Sequence, residues 1–211
     1  MKLKWHGHSC FSYAFDDGTL IVSDPFDGSV GYPLCEVRAD AALFSHAHYD
    51  HNYVQSLRGN PAVIADSAAR CVGGVRVRGI DCFHDACQGA QRGKNIIFVI
   101  EGDGLRIAHM GDLGHIPTPQ QCDALQNLDV MLLPIGGTYT ITTPEAVEIA
   151  HMLRPRTTIA MHFRNALCAF PIVDPAEFVR LTGAQTMPRE LVITPEALER
   201  LPHFIVPQVD F

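Results

Sequence analysis

The chain has 211 residues, of which 47% are hydrophobic, and its formal net charge at pH 7 is −7. This size is sufficient for one domain with its own hydrophobic core, spanning residues 1–211, and the sparse, scattered Lys and Arg argue against an extended nucleic-acid surface. The sequence contains neither a signal-peptide-like apolar segment nor an apolar stretch of membrane-spanning length, and its seven cysteines are dispersed. We therefore expect a cytoplasmic protein with reduced thiols.

Short strands dominate the first half of the sequence. Apolar runs predict strands at residues 3–5, 10–15, 19–23, 40–45, 62–65, 80–83, 95–101 and 105–109. Asp17-Gly18 and Asp103-Gly104 predict tight hairpin turns between the strands that flank them. Residues 52–57 are expected to form a short helix.

Helices and strands alternate in the second half. Helices are expected at 118–128, from Thr143 to just before Pro155, and at 174–182, and strands at 129–134, 157–161 and 191–193. The helix at Thr143 has a clear start signal, because Pro144 follows at a position where proline is favoured. These elements predict an α/β fold with two sheets between helical layers.

The most informative segment is His46-Ala47-His48-Tyr49-Asp50-His51. It places three imidazoles and a carboxylate in six residues, directly after the predicted strand 40–45. Residues that alternate along an extended chain face the same side, so His46 and His48 would point together. Asp50 and His51 would face a neighbouring point, and the segment therefore predicts a binuclear metal site.

Further candidate ligands follow other predicted strands. A single histidine at such a place is usually only hydrogen-bonded, but several of them together with the hexapeptide favour metal binding. These residues are Asp24, His84, Asp85, Asp112 and His162.

Several stretches carry a resemblance to a known family. They include Gly7-His8-Ser9, the hexapeptide, Gly111-Asp112, Gly136-Gly137-Thr138-Tyr139-Thr140 and Met161-His162. With these motifs the chain resembles the metallo-β-lactamase fold superfamily, and more closely its compact branch of L-ascorbate-6-phosphate lactonase-like proteins and metal-dependent hydrolases. The resemblance implies a single-domain αββα four-layer sandwich.

The resemblance also implies a set of ligands. His46, His48 and His84 would bind the first metal ion; Asp50, His51 and His162 would bind the second; Asp112 would bridge the two. His109 competes with His84 for the third position in the first site. His84 is preferred, because the middle histidine of the family precedes the Gly-Asp pair by more than three residues.

Imidazole and carboxylate ligands without thiolate suit Zn²⁺, with Mn²⁺ and Fe²⁺ as alternatives. The expected function is a binuclear hydrolase in which a metal-bridging hydroxide attacks the carbonyl of a small metabolite, such as a lactone, ester or thioester. The first alternative is a metal-dependent phosphodiesterase or nuclease. The second is a non-catalytic metal-binding scaffold. Self-association into a homo-oligomer is compatible with the sequence.

Other residues have expected roles around these ligands. Asp50 could orient the nucleophile or cap a helix, and His115 could donate a proton or be a surface histidine. The Tyr139 hydroxyl group could donate a hydrogen bond to an oxyanion, or the side chain could be a packed aromatic residue without a catalytic role. Arg92 and Asn95, with Lys94, could bind an anionic substrate or form a solvated loop. His8 and Asp24 are expected to support the ligands by hydrogen bonds.

Overall fold

The computed structural model describes residues 1–210, which form two β-sheets and a few short helices. The first sheet has six strands in the order β13-β1-β2-β3-β4-β5. Its strands are β1 (Lys2–Gly7), β2 (Cys10–Ala14), β3 (Leu20–Ser23), β4 (Ala41–Leu43), β5 (Ala62–Ile64) and β13 (Glu190–Val192). β1, β2 and β3 are antiparallel neighbours, whereas β4 and β5 continue parallel to β3.

The second sheet has eight strands in the order β12-β14-β11-β10-β9-β8-β7-β6. They are β6 (Arg70–Val72), β7 (Val75–Phe83), β8 (Lys94–Gly102), β9 (Leu105–His109), β10 (Val130–Pro134), β11 (Thr157–Met161), β12 (Gln185–Met187) and β14 (Phe204–Pro207). β9, β10 and β11 are parallel, and β7 and β8 form a long antiparallel hairpin.

Four α-helices complete the fold: α1 (Pro119–Ala124), α2 (Thr143–Leu153), α3 (Ala176–Thr182) and α4 (Pro195–Leu198). α1 and α2 connect the parallel strands β9, β10 and β11. Within residues 1–210, the connections among β1–β5 contain only the 3₁₀ turns Gly28–Val30 and Val54–Ser56. None of the helices in the described part of the chain could cross a membrane, as each is too short.

The core is continuous between the sheets. β10 and β11 are buried along their whole length, as parallel strands covered on both faces usually are. Trp5 of the first sheet stacks on Phe163, which follows β11, with ring centroids 5.3 Å apart. All seven cysteines are free. The predicted α/β fold with two sheets in a single domain is confirmed.

Local predictions were wrong at two places. Residues 52–57 form a 3₁₀ turn because backbone groups there bond elsewhere, for example Tyr53 N to Pro25 O at 2.8 Å. Without a helix, Asp50 cannot act as a helix cap. Helix α1 ends at Ala124 instead of residue 128, and Asn127 then adopts a left-handed backbone. The structure also adds β6, β12, β14 and α4.

The topology brings the candidate ligands to one rim. β7, β9 and β11 run in the same direction, because β8 is antiparallel to both β7 and β9 and β10 is parallel to β9 and β11. Their carboxyl ends therefore lie at one edge of the second sheet. His84 follows β7, Asp112 follows β9 after two residues, and His162 follows β11 directly.

The start of α2 provides a test of the local sequence signal. The side chain of Thr142 accepts a hydrogen bond from Glu145 N, and the Glu145 carboxylate accepts one from Thr142 N at 2.7 Å. Because Thr142→Ala removes this cap, we expect it to lower the free energy of unfolding by about 1 kcal/mol. Urea denaturation of this variant checks the value. The exposed substitution Glu148→Ala in the same helix is the control and should change stability by less than about 0.5 kcal/mol.

Candidate metal centre

The hexapeptide forms a compact turn two residues after the end of β4. His51 N donates to His48 O at 2.9 Å, and the Asn52 side chain donates to Ala47 O at the same distance. The turn brings the His46 ring to centroid distances of 4.6 Å from His48 and 4.2 Å from His51. The short spacing in sequence thus becomes a cluster of imidazoles in space.

Residues from distant strand ends close this cluster into three overlapping groups, in each of which the potential ligand atoms lie within 4.8 Å of one another. The groups are His46, His48 and His84; His46, His51 and Asp112; and His8, Asp50, His51 and His162. All seven ligands expected from the sequence are therefore brought together. His8, expected only to support them, lies in the third group.

The Asp112 carboxylate lies between the rings of the cluster. Its Oδ2 is 3.3 Å from His84 Nε2 and 3.2 Å from His162 Nε2, and its Oδ1 is 3.3 Å from His51 Nε2. Two atoms that bind one tetrahedral zinc ion at its usual bond lengths are separated by about 3.3–3.6 Å. The separations in the structure, 3.2–3.3 Å, are close to this range.

Six buried atoms of this cluster have no hydrogen-bond partner in the described structure, among them the three atoms His46 Nε2, His51 Nε2 and Asp112 Oδ1. Buried polar atoms are rarely left without a partner, because the loss of hydration is then uncompensated. All three belong to one group and converge on one another. The residues therefore fit bound divalent metal ions, which would satisfy these lone pairs.

Asp24 orients two of the expected ligands through contacts on the ring side that faces away from the cluster centre. Its carboxylate accepts hydrogen bonds from Ser45 N at 2.8 Å, Ser45 Oγ at 2.7 Å and His51 Nδ1 at 2.9 Å. Ser45 Oγ in turn lies 2.9 Å from His46 Nδ1. With their Nδ1 atoms engaged, His46 and His51 are left with Nε2 directed at the centre.

His109 also belongs to this supporting network. Its Nε2 lies 2.8 Å from Asp24 Oδ2, and its Nδ1 lies 3.4 Å from Ser23 Oγ. Both ring nitrogens are thus engaged away from the cluster, whereas His84 lies in it. This placement favours His84 over His109 as the ligand of the first site.

Asn95 supports the Asp112 loop. Its Oδ1 accepts from Asp112 N at 2.9 Å, and its Nδ2 donates to Met110 O at 3.0 Å. The side chain is completely buried, which is incompatible with the expected contact to a substrate. We infer that Asn95 positions the Asp112 carboxylate instead.

His115 is likewise engaged away from the centre. Its Nδ1 donates to Ile116 O at 2.8 Å, and its Nε2 accepts from Phe83 N at 3.2 Å. A neutral imidazole has one donor and one acceptor, and both are used here. We infer that His115 fixes the end of β7 and does not donate a proton to a substrate.

Backbone strain is found in the third group, at His8 and His162. His8 and His162 have φ angles of 50° and 52°, a region that residues with a Cβ rarely occupy. The His8 carbonyl holds this arrangement, because it accepts hydrogen bonds from His162 N at 3.1 Å and Trp5 Nε1 at 2.9 Å. Such strain persists only where surrounding contacts enforce it.

Burial and charge set the protonation of the cluster. Burial lowers the pKa of His46 to about 2 and that of His8 to about 4, and it also lowers the pKa of His84. These imidazoles are therefore neutral, as metal ligands must be. Burial would raise the pKa of Asp112, but the charges of His162 and His51 hold it well below its usual range.

A cavity of about 300 Å³ opens onto the cluster. Tyr49, Tyr139 and Phe170 line it beside the expected ligands. Arg92 also lines it and lies over the Tyr139 ring, 5.8 Å from the centroid, with its guanidinium donating to Thr138 O at 3.2 Å. Arg92 and Tyr139 are thus placed where a substrate would contact them.

The strand ends of the two sheets converge on a cluster of histidines and carboxylates. This arrangement is typical of metal-dependent hydrolases. A family profile described as Beta-lactamase superfamily domain matches residues 2–162. The chain belongs to the metallo-β-lactamase superfamily.

Relatives of similar length support this conclusion. The chain is 31% identical to a UPF0173 metal-dependent hydrolase from Pelotomaculum thermopropionicum over 94% of this chain and 100% of the relative. It is 30% identical to another from Archaeoglobus fulgidus over 92% and 95%, respectively. A superfamily crystal structure from Thermotoga maritima is 35% identical, with a TM-score of 0.81 over 98% of this chain and 97% of that one. The protein is therefore a metal-dependent hydrolase.

Gly111 tests how closely the Asp112 loop is packed. Its φ is 54°, and an added Cβ would lie 2.4 Å from Asn95 Oδ1 and 2.5 Å from Ser45 Cβ. Because the loop would have to shift, we expect Gly111→Ala to lower the free energy of unfolding by about 2 to 4 kcal/mol and to weaken metal binding. Thermal denaturation and metal analysis by mass spectrometry measure the two effects.

Gly18→Ala separates strain from steric overlap, because Gly18 also has a positive φ, 90°, but no atom within 4 Å of an added Cβ. Gly18→Ala should lower the free energy of unfolding by about 1 to 2 kcal/mol and leave metal binding unchanged. Equal behaviour of the two variants would contradict the tight packing behind Asp112.

Proposed function

We propose that this protein is a binuclear metal-dependent hydrolase that adds water at the carbonyl carbon of a small lactone, ester or thioester and breaks its acyl C–O or C–S bond. The observation that carries the proposal is the position of Asp112, whose two oxygens lie 3.2–3.3 Å from histidines of both ligand sets. His46, His48 and His84 would hold one ion, Asp50, His51 and His162 would hold the other, and Asp112 would bridge them. Imidazoles and carboxylates without thiolate favour zinc, with manganese and iron as alternatives.

Divalent ions held by these residues would supply Lewis acidity and lower the pKa of water enough for hydrolysis at neutral pH. The protein residues then have to bind and orient the reactants. Asp50 Oδ2 is fixed by His8 Nε2 at 3.3 Å, so one carboxylate oxygen has a defined direction. From this position Asp50 can orient the attacking water by accepting a hydrogen bond from it.

The cavity residues support a small substrate with an anionic group. The Tyr139 hydroxyl group can donate a hydrogen bond to the substrate oxygen on which negative charge develops. Arg92 presents a cation that is already ordered by Thr138 and the Tyr139 ring, so little side-chain entropy is lost when it binds an anion. Phe170, which packs 5.2 Å from the His8 ring, limits access of bulk water on that side.

Metal stoichiometry tests the binuclear proposal. Protein purified without chelators should contain about two equivalents of divalent metal per chain by mass spectrometry. Asp112→Asn keeps the side-chain shape but removes the bridging charge, so we expect it to retain one equivalent or less. Asp123→Asn on the exposed side of α1 is the matched control. A single equivalent in the unmodified protein, or two in Asp112→Asn, would contradict a bridged pair.

A panel of substrates tests the reaction class. We expect the metal-loaded protein to hydrolyse at least one of a set of lactones, aryl esters and thioesters, and Asp112→Asn to reduce kcat/KM by at least about 100-fold. Chelator-treated protein should lose activity and recover it when zinc is restored. Activity on bis(p-nitrophenyl) phosphate alone would instead establish the phosphodiesterase alternative.

A further inference from the structure

A second and larger cavity adjoins the metal centre. It has a volume of about 510 Å³, within the range of small-molecule sites, whereas the cavity over the ligands measures about 300 Å³. His48 and Arg92 line both cavities, so the two spaces meet beside the first metal group. A substrate centred on the metals could therefore extend into the larger space, which we call the side cleft.

The side cleft lies where the two sheets diverge. Ile96 N donates to Ser45 O at 2.8 Å, which joins β8 to the residues after β4. Phe44, which follows β4, Ala65, which follows β5, and Ile96 of β8 are among the apolar residues that line the cleft. These side chains offer contact to a hydrocarbon or aromatic body, whereas the rest of the lining is mostly polar or charged.

Two cations lie at the end of the side cleft nearest the metal centre. Lys94 is opposite Phe83 in the β7–β8 pairing, next to the candidate ligand His84, and Arg92 precedes it by two residues. Among residues 1–210, neither side chain has an acidic partner within ion-pair distance. In a protein with a net charge of −7, two unpaired cations beside one cavity are suited to bind an anion.

The acidic residues of the side cleft lie farther out and are already engaged. Asp66 pairs with Arg70 and accepts a hydrogen bond from Ala68 N at 2.9 Å. Asp81 accepts one from Ser67 Oγ at 3.2 Å, and it is opposite Ile96, two residues beyond Lys94 on β8. Within residues 1–210, neither acid forms an ion pair with Lys94 or Arg92.

We propose that the side cleft binds the non-reacting part of the substrate, and that this part is an apolar group with an anionic substituent held by Lys94 and Arg92. This inference deepens the proposed function and rests on it for the position of the reacting group. The substrate class is then an amphipathic anion, with its scissile carbonyl at the metals and its apolar body between Phe44 and Ile96.

Probe binding tests the side cleft independently of catalysis. 1-Anilinonaphthalene-8-sulfonate is an apolar anion, and N-phenyl-1-naphthylamine is the same molecule without the sulfonate. Titration of both into zinc-loaded protein, followed by fluorescence, should give tighter binding of the anion. Lys94→Met should weaken binding of the anion about threefold to tenfold and leave the neutral probe unchanged. Ala65→Trp fills the cleft and should weaken both probes.

Matched controls lie outside the cleft. Lys2→Met removes an exposed charge on β1, and Ala62→Trp adds the same bulk at an exposed position on β5, the strand just before Ala65. Both should bind the probes as the unmodified protein does. No probe binding to the unmodified protein, unchanged binding in both cleft variants, or equal loss of the two probes in Lys94→Met would overturn the proposal.

Hydrolysis separates this proposal from the proposed function. If esters are cleaved, mono-p-nitrophenyl adipate should be preferred over p-nitrophenyl hexanoate, and Lys94→Met should remove the preference through KM with the metal content unchanged. Absence of ester hydrolysis together with cleft-dependent probe binding would reject the carbonyl substrate but retain the anion-binding cleft. Ester hydrolysis that does not depend on the cleft residues would retain the carbonyl substrate but reject the anion-binding cleft.

Discussion

The buried carboxylate of Asp24 is the interaction on which the centre depends. It follows β3 in the first sheet, yet it accepts hydrogen bonds from residues after β4 and from His109 at the end of β9 in the second sheet. A carboxylate without exposure to solvent is strongly destabilising unless its lone pairs are satisfied. Here four hydrogen bonds satisfy them, so the ends of both sheets are fixed relative to each other. Burial would raise the pKa of Asp24, but the charges of His109 and His51 hold it well below its usual range.

This network explains why a short sequence motif can function only within the complete fold. His46 and His51 acquire a defined ring orientation through Ser45 and Asp24, and Asp112 is held by Asn95 from β8. The supporting residues are buried, while His48 and the rim residue Tyr49 are exposed. The centre therefore combines a rigid inner side with an accessible outer side, which is the arrangement a hydrolytic site requires.

The sequence predicted the fold class and the convergence of all seven expected ligands, because strand-end residues are readable from apolar runs. It also gave both hairpin turns, since Asp-Gly pairs strongly favour them; Asp103 and Gly104 both have positive φ. Residues 52–57 were misassigned because their bonding partners, such as Pro25, are distant in sequence. The expected substrate contact of Asn95 is excluded by its burial, because the sequence gives no indication of which side of β8 a polar residue faces. For His115 the sequence left both proton donation and a surface position open.

Four residues with a Cβ near the rim have left-handed backbones: His8, Asp24, Thr138 and His162. Backbone hydrogen bonds support these conformations: His162 N donates to His8 O at 3.1 Å, and Asp24 N donates to Leu43 O at 2.9 Å. A left-handed backbone at a residue with a Cβ raises the energy of the chain and persists only where such contacts offset it. Part of the stability that packing provides is therefore used to hold the rim of the centre in conformations that the same residues would rarely adopt elsewhere.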